Sequence, residues 1–129
     1  MIKVEMPYTG GDLSVNRAYE RDGRHMKKHV RNWQLTLMGL VRQAVKGKIC
    51  EGVWHVSCSG HFKNQRSAPD LSNLAKVCMD AIAAGLGIDD KNLRWQDGLR
   101  LCGDDIEEPR LEFTIWGEED EALIGPQFR

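Results

Sequence analysis

The segment Pro69-Asp70-Leu71-Ser72-Asn73-Leu74-Ala75-Lys76-Val77-Cys78-Met79-Asp80 decides how this chain of 129 residues is read. Pro69 pins the start of a helix predicted over Leu71–Ala84, a stretch rich in alanine and other helix formers. Leu71, Leu74, Cys78 and Ile82 recur at i, i+3, i+7 and i+11, and Val77 and Ala81 widen this apolar stripe. Asn73, Lys76 and Asp80, at i, i+3 and i+7, share the opposite, polar face. Asp70 and Ser72 both stand where a side chain can accept the orphan amides of the first turn, so either is a candidate cap. Asp80 opposes the helix dipole and calls for a local partner. Gly85 and Gly87 are expected to break the helix.

Downstream, Ile88-Asp89-Asp90-Lys91-Asn92 reads as a tight acidic loop, and Leu93–Leu101 as a strand interrupted near Asp97-Gly98. A polar connection, Asp104–Pro109, leads to the clearest strand, where Leu111, Phe113 and Ile115 alternate with Glu112, Thr114 and Trp116. The acidic tail, 117–129, is expected to fray. Upstream, Lys63-Asn64-Gln65-Arg66-Ser67 is a basic connection, and Gly52–Phe62 alternates as a strand. Before it, Val30, Trp33, Leu37, Leu40, Val41, Ala44 and Val45 form the stripe of a helix predicted over His25–Lys46, with Gly47 as its stop. Ser14–Gly23 is a polar loop or irregular arm. Ile2, Val4 and Met6 alternate in an N-terminal strand closed by Pro7. The order β, loop, α, β, α, β, β predicts one small α+β domain over 1–129, with two main helices on a mixed or antiparallel sheet.

Hydrophobic residues make up 41% and charged residues 29%, an ordinary globular composition. No apolar run is long enough to cross a bilayer, and Met1-Ile2-Lys3-Val4-Glu5 lacks the apolar core of a secretory signal. Four scattered cysteines without such a signal point to a reduced, cytoplasmic setting. The net charge of -1 excludes a uniformly basic nucleic-acid clamp, but the halves differ. Residues 1–66 hold 12 Lys+Arg against 5 Asp+Glu, and residues 67–129 hold 6 against 14. A basic half suits phosphates while an acidic half suits metal; two mixed solvated surfaces would show the same numbers.

Carboxylates from two segments, Asp70 and the Asp89-Asp90 doublet, suit a hard ion such as magnesium. A nearby lysine, Lys76, would stabilise charge developing on a phosphate. Spacing alone leaves simpler readings open: Asp70 as a helix cap, the doublet as a turn and Lys76 as a solvated lysine. Cys58 with His61, and more loosely His25 with His29, have spacings that zinc sites use. Trp33, Trp54 and Trp95 read as core or interface residues, since no basic–aromatic array surrounds them. The glycines form no phosphate loop or dinucleotide fingerprint.

The run Pro69-Asp70-Leu71-Ser72-Asn73-Leu74, followed by Lys76, Asp80 and Asp89-Asp90, resembles the signature of the RusA family of Holliday junction resolvases. Asn16-Arg17-Ala18-Tyr19 and Gly23-Arg24 resemble that family's early polar arm, and the likeness extends over about Ile2 to Ile115. It implies a homodimeric endodeoxyribonuclease that uses magnesium, with manganese as the substitute, to cut four-way DNA junctions at paired positions. Such proteins occur in bacteria, phages and prophages. By position, Asp70 and Asp90 match catalytic, metal-binding carboxylates, Asp89 the first residue of the doublet, and Lys76 the essential lysine. Candidates for holding branched DNA are Asn16, Arg17, Arg24, Lys27, Lys28, Lys63 and Arg66. The family typically has Asp-x-Asp where this chain has Asp70-Leu71-Ser72, and losing one charge weakens a divalent ion's hold. The alternative is therefore a junction-binding protein that cuts weakly or not at all, and a third reading is a structural metal site. The nuclease reading requires the helix start to meet the acidic turn around one cation.

Overall fold

The computed structural model describes residues 1–118. Its elements are β1 (Ile2–Pro7), a 3-10 turn (Gly11–Leu13), α1 (Lys28–Val45), β2 (Trp54–Phe62), a second 3-10 turn (Leu71–Leu74), α2 (Ala75–Leu86), a third (Asp90–Asn92), β3 (Leu93–Cys102) and β4 (Arg110–Gly117). The predicted order holds, and the class is α+β with a mixed sheet of order β1-β4-β2-β3. β4 pairs antiparallel with β1 and β2, whereas β2 and β3 run parallel. A parallel pair needs a crossover, and α2 supplies it.

Period-two alternation fixes which face of the sheet is buried. Val4 and Met6 of β1, Leu111, Phe113 and Ile115 of β4, and Trp54, Val56, Cys58 and Phe62 of β2 all lie in the core with the two helices. In α1 the stripe is Val30, Trp33, Leu37 and Val41, but Leu40 is 37% exposed. Gln34 takes buried space instead, at 2% exposure, and its Nε2 donates to the Val77 carbonyl of α2 at 2.9 Å. A buried amide is tolerated because it is hydrogen-bonded. The Trp33 indole donates to the Pro7 carbonyl at 2.8 Å, tying α1 to the end of β1.

Several boundaries differ from the sequence reading for identifiable reasons. α1 begins at Lys28, not His25, because 25–27 belong to the arm: Tyr19 bridges Met26, and Lys27 N–H donates to the Ala18 carbonyl. Gly117 is not the start of a frayed tail but a buried member of β4, and Glu118 N–H donates to the Val53 carbonyl. The rest of the predicted tail, 119–129, lies outside the described residues. The Asp97-Gly98 interruption is a bulge within β3.

Gly85 does not break α2. The helix runs through it to Leu86 and ends at Gly87, whose φ of 76° makes it the left-handed cap. At Gly85 the two helices approach closely: a Cβ there would lie 2.7 Å from the Met38 carbonyl oxygen and 2.7 Å from Val41 Cβ of α1. Gly85→Ala should therefore lower unfolding stability by about 1–3 kcal/mol, although alanine is the better helix former. Denaturant unfolding checks this, and a stabilised Gly85→Ala variant would contradict the close approach.

Candidate active site

The chain reaches Asp70 from the C-terminal end of β2. Asp70 is extended (φ −70°, ψ 125°), and the four residues after it form a 3-10 turn before the α-helix begins at Ala75. Leu71 and Leu74 are buried, while Asp70, Ser72, Asn73 and Lys76 are exposed. Neither candidate cap is used as one: the Asp70 side chain makes no capping hydrogen bond to the turn, and none caps α2. Asp70 therefore presents an uncommitted carboxylate beside Ser72. Lys76 pairs with Asp80 at 3.8 Å along the same face, which supplies the local partner that Asp80 required. Lys76 remains 54% exposed, so this contact leaves its ammonium within reach of a phosphate.

The basic arm borders this turn, with Val15 N–H donating to the Asn73 carbonyl at 3.0 Å. Asp12 gathers the cationic Arg17 and Lys27 of the arm, each at 3.4 Å, and the His29 ring of α1 at 2.9 Å. Burial pushes its carboxyl up, but hydrogen bonds from His29 and Lys27 and the charges of Lys27 and Arg17 outweigh this and hold it below its ordinary range. Gly11 makes room for Arg17, since a Cβ would meet its guanidinium at 2.7 Å. In the same arm the His25 ring, with the N–H groups of His25 and Arg24, holds Asp22 down to about 2. Asn16, Arg17, Arg24, Lys28, Lys63 and Arg66 are exposed, and Lys27 is half-buried against Asp12.

The acidic doublet lies elsewhere. The Asp89 Oδ1 accepts from Lys91 N–H at 3.1 Å and caps the third 3-10 turn, so the turn reading of the doublet is correct at Asp89. That backbone hydrogen bond, the neighbouring Asp90 carboxyl and the Lys91 charge hold Asp89 below its usual range. Asp90 is exposed. Asp70 follows the C-terminal end of β2, whereas Asp90 precedes the N-terminal end of β3, beyond α2. The 12 residues of α2 alone rise about 18 Å, and the strand from Leu93 to Arg100 about 23 Å. Within one chain the two carboxylates are thus roughly 20 Å apart, far beyond the 2.0–2.6 Å reach of a shared ion. Among the described residues no three His, Cys, Asp or Glu side chains converge on a possible metal position. The helix start does not fold back on the acidic turn of its own chain, because the crossover puts its two ends at opposite ends of the strands.

The donor chemistry at the helix start still fits magnesium. This ion commonly binds through one or two carboxylates and completes its octahedron with water and substrate phosphate. The exposed, uncapped Asp70 carboxylate is free to supply one such oxygen. The zinc spacings do not survive. Cys58 lies on the core face of β2 and His61 on the other, where its Nε2 meets Glu112 at 3.1 Å. His25 and His29 face different carboxylates, Asp22 and Asp12. Burial pushes the Cys58 thiol up to about 12 and raises Cys50 and Cys78 as well, so none of these three is an activated nucleophile. Trp33 and Trp54 are buried as expected, and Trp95 is half-buried, its indole donating to Asp97 at 2.7 Å.

The profile of the family described as endodeoxyribonuclease RusA matches residues 11–115, which include the arm, the Asp70 turn, Lys76 and the doublet. This chain belongs to the RusA family. RusA proteins are Holliday junction resolvases, nucleases that typically depend on a divalent metal. A comparison with curated proteins gave no match. No helix of the described residues is long and apolar enough to cross a membrane.

Sequence reasoning missed two residues that shape this region of the RusA fold. Asp12, which carries no motif of its own, meets Arg17, Lys27 and His29. Arg100, on β3, ties down the segment before Asp70. Contacts over such separations leave no trace in local spacing.

Proposed function

We propose that this RusA-family chain is a magnesium-dependent, structure-selective endonuclease that resolves four-way DNA junctions as a homodimer, with manganese as a substitute ion. The observation that supports it most is at the start of α2: an uncapped Asp70 carboxylate and an exposed Lys76, on a turn that the Val15–Asn73 backbone hydrogen bond ties to the arm bearing Asp12, Arg17 and Lys27. When bound, the ion supplies Lewis-acid activation of water and of the scissile phosphate. Asp70 would hold it. Lys76 sets a positive charge against a non-bridging oxygen as charge develops there. Arg17, Lys27 and Lys28, with Asn16, Arg24, Lys63 and Arg66, grip flanking phosphates and fix the register of the duplex arms.

The distance between Asp70 and Asp90 within a chain gives the dimer a chemical role. A two-fold axis that sets the helix start of one subunit against the acidic turn of the other forms two equivalent sites, each pairing Asp70 with the partner's Asp90. Two such sites suit the two-fold symmetry of a four-way junction.

Ser72 favours a second reading on its own observation. It is exposed and offers no charge beside Asp70, so a protein that binds junctions and cuts slowly uses the same surface. A structural metal site is disfavoured by the separation of the carboxylates. A labelled four-way junction with magnesium decides. Paired nicks support the endonuclease, a shifted but intact junction the binding protein, and no shift removes both. Binding should also be salt-sensitive. The six cations Arg17, Arg24, Lys27, Lys28, Lys63 and Arg66 together predict roughly a 1,000-fold loss of affinity between about 50 and 200 mM salt. A flat response would remove the role of the basic arm.

A further inference from the structure

Arg100 occupies an unusual place on β3. Partner residues across the sheet run Met6–Leu111–Gly60–Arg100, a row whose other members are all buried on the helix-bearing face. An arginine reaches that row because β3 carries one extra residue: Cys58 pairs with Asp97, but Gly60 pairs with Arg100. Without the insertion Leu99 would oppose Gly60, and Arg100 would point to the other side of the sheet. Ser59 and Gly98 build the bulge. Ser59 Oγ accepts from Leu99 N–H at 3.0 Å, and a Cβ on Gly98 would fall 2.3 Å from that same oxygen.

Redirected in this way, the Arg100 guanidinium spans the connection that leads to Asp70. Its Nε donates to the Pro69 carbonyl at 3.0 Å, its Nη2 to the Ala68 carbonyl at 2.9 Å and the Gln65 carbonyl at 3.3 Å, and its Nη1 to Gln65 Oε1 at 2.8 Å. The remaining hydrogen bonds of this connection are local, Ser67 to Asn64. Asp70 follows Pro69 directly and has no capping bond to hold it. We propose that Arg100, aimed by the Ser59–Gly98 bulge, is the positioning residue for Asp70, and that it sets the carboxylate by clamping the backbone immediately before it. A planar guanidinium with several fixed donors can hold three carbonyls at once, whereas an ammonium of equal charge cannot.

This inference rests on the nuclease reading for its consequence but not for its geometry, and the test separates the two. Arg100→Lys keeps the charge and removes the fork. In full-length protein, amide hydrogen exchange of Asn73 and Ala75, whose N–H groups donate to the Asp70 and Ser72 carbonyls, should accelerate at least about tenfold while the melting transition stays within the range of an ordinary surface substitution. Junction affinity without metal should stay within about twofold, and magnesium-dependent kcat should fall about 10–100-fold, as expected for a displaced catalytic group. Ser59→Ala, which removes the acceptor holding the bulge, should show the same pattern more weakly. Unchanged exchange at Asn73 and Ala75 in Arg100→Lys overturns the positioning role whether or not the protein cuts DNA. Faster exchange in a protein with no cleavage even as wild type leaves the clamp in place and overturns the nuclease reading instead. A kcat loss matched by equal losses of affinity and melting temperature reduces Arg100 to a structural residue and overturns the proposal.

Discussion

Chains carrying Asp70→Asn and chains carrying Asp90→Asn, each inactive alone, should regain about a quarter of wild-type cleavage sites when mixed and allowed to exchange subunits. The reason is geometric. In one chain the two carboxylates stand at opposite ends of the β2–α2–β3 crossover, separated by the length of a 12-residue helix. If one ion needs both, the second must come from the partner. A mixed dimer then has one site with both substitutions and one site with neither. Half of a random mixture is mixed dimer, and half of its sites are intact. Either variant alone should lose at least about 1,000-fold in rate, since an ion ligand supplies several kcal/mol of charge stabilisation and each 1.4 kcal/mol is tenfold. Both residues are exposed, so folding should be unaffected and melting curves should superpose. The products should differ as well: a dimer with one working site leaves single nicks, not paired ones. Mixtures that exchange subunits and stay inactive would show that Asp70 and Asp90 do not cooperate across the dimer.

Ser72→Asp should raise cleavage at least about tenfold and lower the magnesium concentration needed for half-maximal rate by a similar factor. Asp70 and Ser72 flank the buried Leu71, and both face solvent at the start of the 3-10 turn. A carboxylate at 72 therefore adds charge where Asp70 already presents its own. One further negative charge about 5 Å from a divalent ion is worth about 7 kcal/mol at an effective dielectric of about 20 and about 2 kcal/mol in bulk water, and solvent exposure brings it to the order of the tenfold effect stated. The added charge also sits favourably near the N-terminal end of a helix, so no loss of stability should oppose it. A large rise would identify the missing carboxylate as the limit on native activity. No change in rate or metal requirement would show that position 72 does not face the ion.

Much of the fold follows from periodicity. The alternation in β1, β2 and β4 and the three-to-four spacing in both helices each name a buried face, and burial of those faces leaves little freedom in how the layers stack. Errors arose where a single residue has two physical uses. A glycine ends a helix or lets two helices touch, and only the position of Met38 and Val41 against Gly85 distinguishes the second use from the first. Leu40 matched the apolar stripe but stands at its solvent edge, whereas the polar Gln34 is buried because its amide donates to the Val77 carbonyl.

The linear chain by itself determined the element order, the core faces, the family signature around Asp70, Lys76 and Asp89-Asp90, and the surplus of positive charge before residue 67. These depend on residue type and on separations of a few positions, where covalent geometry dictates which side chains are neighbours. Tertiary structure alone decided that Asp90 stands a helix length from Asp70, that Asp12 collects Arg17, Lys27 and His29, and that a one-residue bulge turns Arg100 toward the Asp70 connection. Those relations depend on strand direction and register, which are settled by how whole elements pack and which one inserted residue can reverse.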